Sequence, residues 1–527
     1  MKALFIINCH NIVNKDISAY NEQMKFFIVF LSAAFLSAAF LSACGSTVYY
    51  VEINGGSGHE QEINFIETLF RDNAGFDAQK ISLRTAEHET DSVPPASIYI
   101  DIASSWEYEN GYGDILVSRT FHAPRTDPLA ARTDTSLAVC LDGTEDIVPI
   151  EEIVPPFTAL RIDGRALGDE AYPLVRATGV SVRAAENKKS GKPLGEKMRF
   201  LNEALEAASK TLIRPQPQPL WIAVGGDLML DLGASDILLD EGPAGIFGGT
   251  AAILESADLS LVNFEGVASR LGERVPKSFN FRFVPEVAAA LKSAGIDAVL
   301  HANNHVFDFG ETAFLDSLSN LTGAGIGVVG AGRDDEEASA PFIFKRGDDI
   351  YRVFGLASFP RERNGWDGAS AAALPGRPGM LHAERGGKEK LIDKLSSDDN
   401  TLDIVLFHGG VEWSTRPDNA TRNLYTDLVS AGADLVIGTH PHIVQGFEWV
   451  HGKPVFWSLG NYVFGGMENR VGGNEGLFIR LGFLDGRLLY MEPFALTLIH
   501  TRTVIAPPER LETFYNRSRE LSGGTLQ

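Results

Sequence analysis

Six polar clusters stand out because their side chains suit divalent-metal chemistry and each follows an apolar run. They are Gly226-Asp227, Asn263-Phe264-Glu265, Asn303-Asn304-His305 with Asp308, His408, Thr439-His440-Pro441-His442 and Gly460-Asn461. Carboxylate, imidazole and carboxamide together are ligands for ions such as Mn, Zn or Fe. One such residue means little. A lone Asp after a strand commonly caps a helix or forms a turn, and a lone His is usually a hydrogen-bonded structural residue. Here seven of the twelve histidines lie between His301 and His451. His440 and His442 flank a proline, which predicts an extended backbone with both rings on one side. Three cysteines in 527 residues leave no thiolate zinc site and no disulfide framework.

The elements around these clusters alternate. Strands are predicted at Trp221–Val224, Leu259–Val262, Ala298–His301, Gly327–Val329, Asp403–Phe407, Leu435–Gly438 and Val455–Leu459. Helices are predicted at Pro285–Ser293, Thr312–Leu321 and Asn423–Ser430. Alternation of this kind means α/β layers, with ligands at the carboxyl ends of the strands. The six clusters then fall along one rim.

Upstream, Pro215-Gln216-Pro217-Gln218-Pro219 cannot continue a helix or a central strand, so 212–220 reads as a linker. Before it, 44–211 reads as a smaller α/β domain. Its predicted strands are Val48–Ile53, Ser97–Ile102 and Ser136–Leu141, with a strand and turn at Thr158–Arg165 and a helix at Glu60–Arg71. After it, 221–500 reads as the main domain and 501–527 as a C-terminal tail. Residues 1–43 read as a secretory signal, with Met24 the expected true start. Phe26–Ala43 is apolar, Lys25 precedes it, and small residues lead to Cys44. An uncleaved anchor is the alternative, since a span takes about 20 residues. Cys140 is then expected to be a small buried core residue. The formal net charge of −23 argues against a nucleic-acid binder, which needs a basic face.

The segment around Cys44 resembles a bacterial lipoprotein lipobox. That implies lipidation at Cys44 and an extracytoplasmic, membrane-anchored protein, periplasmic or at the cell surface. From Trp221 to about Leu488 the sequence resembles the CapA-like proteins of capsule and poly-γ-glutamate synthesis, relatives of calcineurin-like metallophosphatases. The stretches that carry the resemblance include Gly226-Asp227-Leu228-Met229-Leu230, Asn263-Phe264-Glu265, Ala302-Asn303-Asn304-His305 through Gly310, Ala431 through His442, and Ser458-Leu459-Gly460-Asn461.

The resemblance implies a four-layer α/β/β/α sandwich and two divalent ions. Carried over by motif, Asp227 and His442 would serve the first ion, Glu265 would bridge, and Asn304, His408 and His440 would serve the second. His305 would be the general acid, oriented by Asp308. Substrate contacts fall to Asn263, Lys277, Arg282, Arg333, Glu412 and Asn461. Single basic residues are more often solvated charges, and Glu412 is as readily a solvent-exposed loop carboxylate. The implied partners are an anionic polymer or phosphoester substrate and membrane-bound capsule synthase components. Metallophosphatases carry a His two residues after the first Asp; here that position is Met229. Asp231 is the nearby residue able to substitute. Two rivals to a hydrolase remain. One is a non-catalytic polymer-binding or assembly factor. The other is a solute receptor built on the first domain, where Tyr172-Pro173-Leu174-Val175 is similar to a segment of periplasmic solute-binding proteins.

Overall fold

The computed structural model describes residues 49–54, 81–85, 98–106, most of 115–184, a few between 199 and 213, and 215–523 apart from 362–365, 396–400 and 468. The expected signal, Cys44 and the helix at Glu60–Arg71 lie outside the described residues. Among the described residues no single helix is long and apolar enough to cross a membrane.

The chain divides into two compact units. The first comprises residues up to His122 together with 173–215. Its strands run in the order Ile81–Thr85, Tyr49–Asn54, Ile98–Trp106, Val175–Ala184 and the first part of Ile115–Thr126. The first three are parallel and the rest antiparallel.

The second unit comprises Ala123–Tyr172 and 216–527, which corrects the boundaries expected from sequence. Ala123–Tyr172 packs with the main domain because its polar groups find partners there. Arg161 Nε bonds Glu492, and the Leu167 N–H donates to Tyr490 Oη at 2.9 Å. The expected strand at Ser136–Leu141 is instead a short helix, Leu137–Leu141, and Cys140 is buried in it. The proline stretch is tied down at its end: the Arg346 guanidinium holds the Pro219 and Gln218 carbonyls at 2.9 and 2.6 Å. Residues 501–523, expected as part of a tail, are folded. They supply the edge strand Arg502–Ile505 and the helix Leu511–Leu521, whose Phe514 stacks on Phe456.

Two sheets make up most of this unit. The larger runs Gly327–Val329, Ala298–Leu300, Leu259–Phe264, Leu220–Leu228, Glu475–Leu484, Arg487–Ile499, Arg502–Ile505, with Asn461–Val463 beside Leu220–Leu228. Its first four strands are parallel. The other runs Phe342–Arg346, Asp349–Ser358, Thr401–Gly409, Leu435–Thr439, Lys453–Leu459, Val444–Val450, parallel except at its two edges. Leu220–Leu228 is apolar almost throughout and nearly all buried, as a central parallel strand must be. Ile222, Val224 and Leu261 share one apolar cluster with Ile404, Leu406 and Ile437 of the other sheet. The opposite face of the larger sheet packs against Ala234–Phe247 and Val287–Ser293.

The opposite face of the smaller sheet packs against Asn419–Ser430. That helix starts where the Asp418 side chain accepts the Thr421 N–H at 2.7 Å, and it buries Leu424, Tyr425 and Leu428 at helical spacing. Each such side chain contributes about 1.5–3 kcal/mol by leaving water. Leu428→Ala would cost about 2–5 kcal/mol through transfer and cavity terms.

Candidate metal centre

The parallel strands of both sheets end at one place. Asp227 closes Leu220–Leu228, Glu265 follows Leu259–Phe264, Asn304 and His305 follow Ala298–Leu300, His408 lies near the end of Thr401–Gly409, and His440 and His442 follow Leu435–Thr439. Glycine permits the closest approach. A Cβ on Gly226 would meet the Gly460 carbonyl oxygen at 2.0 Å, and that carbonyl accepts the Asp227 N–H at 3.0 Å.

Asp227, Glu265 and His408 are fully buried, and one ligand atom of each lies within 4.8 Å of the others. His440 Nδ1 stands 3.1 Å from His408 Nε2, and Asn304 Oδ1 is 3.1 Å from that same nitrogen. His442 Nδ1 lies 3.2 Å from Asp227 Oδ2, and its Nε2 lies 3.8 Å from Glu265 Oε1. Asn263 Nδ2 donates to Asp227 Oδ1 at 2.7 Å. The Glu265 Oε1 atom is buried and has no hydrogen-bond partner.

The electrostatics of the cluster are compatible with a bound cation. Burial, and then the adjacent Asp227, push the Glu265 carboxyl well above the usual range. Burial, and then the neighbouring imidazoles, hold His408 and His440 well below the usual histidine value, so both offer lone pairs. Burial opposes charge on His442, but Glu265 and Asp227 outweigh it and push its pKa up to about 10. Uncompensated buried carboxylates are costly, and a bound divalent ion would compensate them. The donor set of carboxylate, imidazole and carboxamide fits such an ion.

His440 and His442 are not extended. Their φ angles are +93° and +56°, in the region that non-glycine residues rarely adopt. Their rings still come to 6.1 Å between centroids. Backbone strain of about 1–3 kcal/mol per residue is characteristic of functional sites.

Beside the cluster, His305 Nδ1 is 2.6 Å from Asp308 Oδ2, and its Nε2 is 3.8 Å from Glu265 Oε1. The Asn303 side chain, singled out in its cluster but given no role, accepts the His305 N–H at 3.1 Å and donates to the Phe264 carbonyl at 2.8 Å. Thr439 Oγ1 lies 3.2 Å from His408 Nδ1 and donates to the Phe407 carbonyl.

The predicted substrate contacts divide differently from expectation. Lys277 is buried, with Nζ 2.7 Å from Asp308 Oδ1, 2.5 Å from the Asn304 carbonyl and over the Trp366 ring. Arg282 caps the Leu271 and Gly272 carbonyls and stacks on Phe309. Arg333 pairs with Glu337. All three cations thus have partners within the protein. Asn263 and Asn461 are buried within the cluster, and Asn461 Oδ1 holds His442 Nδ1 at 2.9 Å. Glu412 is exposed, yet its charge reaches both Glu265 and His442. Asp231, the residue expected to substitute for the absent His, is engaged by backbone groups. Its carboxylate accepts the Leu232 and Arg282 N–H groups, and the sulfur of Met229 lies 3.1 Å from the Asp231 nitrogen.

The family model described as bacterial capsule synthesis protein PGA_cap matches residues 221–466. This part of the chain resembles the CapA-like family. The PGA biosynthesis protein CapA of Bacillus subtilis (strain 168) is 27% identical over 243 residues, 45% of this chain and 62% of the relative. The capsule biosynthesis protein CapA of Bacillus anthracis is 26% identical over 254 residues, 47% of this chain and 60% of the relative. The CapA-like segment thus spans a little over half the length of these relatives. A hypothetical protein from Thermus thermophilus aligns at 15% identity and a TM-score of 0.32, over 52% of this chain and 98% of its own, a likeness too slight to bear on fold. The CapA-like family is related to metallophosphatases, which agrees with the class of donors gathered here.

Proposed function

We propose that the CapA-like domain is a divalent-metal-dependent hydrolase acting in capsule or poly-γ-glutamate biosynthesis, on a phosphoester or a γ-glutamyl amide. The observation that carries this reading is the convergence of Asp227, Glu265 and His408 around an unpartnered Glu265 oxygen. Asp227, Glu265 and His442 would hold one ion, and Asn304, His408 and His440 a second beside it. Such ions, when bound, supply Lewis acidity and lower the pKa of a water.

The protein's own part is orientation and proton transfer. The Asp308 carboxylate accepts the Phe281 N–H at 2.7 Å and the Lys277 ammonium. It therefore accepts from Nδ1–H of His305 and leaves Nε2 facing the cluster. A proton held at Nε2 is placed to protonate a leaving group. In this reading the two sheets with their outer helices are the α/β/β/α sandwich, and Cys44 carries a lipid that fixes the protein to an extracytoplasmic membrane face, beside membrane-bound synthase components.

The test is to strip the purified chain of metal, restore Mn or Zn, and measure phosphodiester and γ-glutamyl hydrolysis beside His305→Ala. Metal-dependent turnover that falls at least about 100-fold in the variant is expected. Metal binding without turnover on either substrate would sink the enzyme reading. It would favour a second one, a non-catalytic polymer-binding assembly factor. Met229 supports that alternative, because a buried thioether stands where metallophosphatases place a ligand.

A further inference from the structure

An acidic protein that handles an anionic substrate needs a local cation, and the three basic residues favoured by sequence are engaged elsewhere. Arg470 is not. It is exposed, in the segment between Asn461–Val463 and Glu475–Leu484, and among the described residues it forms no ion pair. Its guanidinium lies over the Trp413 ring at 4.9 Å from the centroid. Trp413 in turn stands 5.5 Å, ring to ring, from His442. A run of contacts therefore leads from the exposed guanidinium through the tilted Trp413–His442 pair to the candidate metal cluster.

The arrangement is held in place by its loops. The Trp413 N–H donates to the Pro441 carbonyl at 2.9 Å, between the two histidines of that loop. Trp413 itself adopts φ +64°. Gly473 leaves room for the contact: a Cβ there would meet Arg470 Cβ at 2.9 Å and Trp413 Cζ3 at 3.2 Å. The Gly473 carbonyl accepts the Asn461 amide at 2.7 Å, and Asn461 holds His442. One loop thus orients a metal ligand and carries the cation. A guanidinium stacked on an aromatic face keeps its N–H edge open for two oxygens of a carboxylate or phosphate.

We propose that Arg470, seated on Trp413, is the anion anchor of this site and binds a carboxylate or phosphate group of the substrate next to the metal centre. The anchor rests on the metal-site reading for its position, but its chemistry is separable from hydrolysis.

The test uses the Mn-loaded full chain and equilibrium binding of two probes, a γ-linked glutamate oligomer and inorganic phosphate. Arg470→Met should weaken binding about tenfold, the worth of one charge-assisted bidentate contact, and Arg470→Lys should recover part of it. Mn affinity, read from free Mn by electron paramagnetic resonance, should not change. Arg470-dependent binding of phosphate without binding of the oligomer would keep the anchor and overturn the polyglutamate reading. Binding of neither probe by the wild-type chain, or equal binding by wild type and Arg470→Met, would overturn the anchor itself.

Discussion

Lys277 and Asp308 form a buried ion pair, Nζ to Oδ1 2.7 Å, with their side chains 1% and 0% exposed. The pair lies directly behind His305. Asp308 is thereby held between a cation and an imidazole, and the imidazole faces the metal cluster. Lys277 is a positioning residue, and its removal should be felt twice. Lys277→Met leaves a buried carboxylate without its cation, which costs about 3–5 kcal/mol. Urea unfolding should show that loss. The pH dependence of any turnover should also shift, because His305 would lose a fixed neighbour. An unchanged unfolding midpoint would refute the role.

Glu265→Gln should act with opposite signs in the two metal states. Without metal, the ionised carboxyl is disfavoured by burial and by Asp227, so the amide should not lower the thermal midpoint. With metal, a ligand at 100 times its Kd stabilises the wild type by about 2.7 kcal/mol, and the variant should lose most of that increment. A calorimetric scan of both proteins with and without Mn checks it. An equal metal-induced rise in both would remove Glu265 from the ligand set.

His301 predicts a pH dependence of folding. It is fully buried, stacked 5.9 Å from Phe314, and burial depresses its pKa to about 4. A depressed histidine is neutral when folded, so its contribution is complete above about 6.5 and is lost as pH falls from there toward about 4. At pH 5 the loss should be about 2 kcal/mol. His301→Phe should lack this component in chemical denaturation measured at pH 7 and pH 5. Parallel pH profiles for the two proteins would contradict it.

Glu412→Gln should strengthen anion binding. Its carboxylate neighbours Trp413 in sequence and acts on Glu265 and His442, so it opposes an anion at the same rim. Being exposed, it should matter by a factor of about 2–5 at low salt and almost nothing at about 0.5 M salt. Binding of the γ-linked oligomer at the two salt concentrations measures this.

Much of the site was legible because each ligand follows an apolar strand, and a parallel strand ends where its polar residue begins. Asp227, Glu265 and His408 show the rule. The backbone at His440 and His442 was not legible: an extended pair was expected, and left-handed turns deliver the rings instead. Lys277 was misread for a related reason. Nothing local marks a lysine as buried, and its partner Asp308 is brought to it only by the fold. The same holds for Ala123–Tyr172, whose attachment depends on Glu492 and Tyr490, hundreds of residues away. Arg470 and Trp413 come from separate loops, so no spacing could have joined them.

The strand that presents Asp227 has a late neighbour. Leu220 pairs with Phe483 and Val224 with Ile479, antiparallel, so the centre of the larger sheet is closed by residues far along the chain. Until that pairing forms, Leu220–Val224 carries one open edge. Non-local pairing of this kind slows folding and exposes a sticky strand meanwhile. Asp227 itself is flanked by Asn263 and Asn461, so the candidate metal rim and this non-local pairing share one strand.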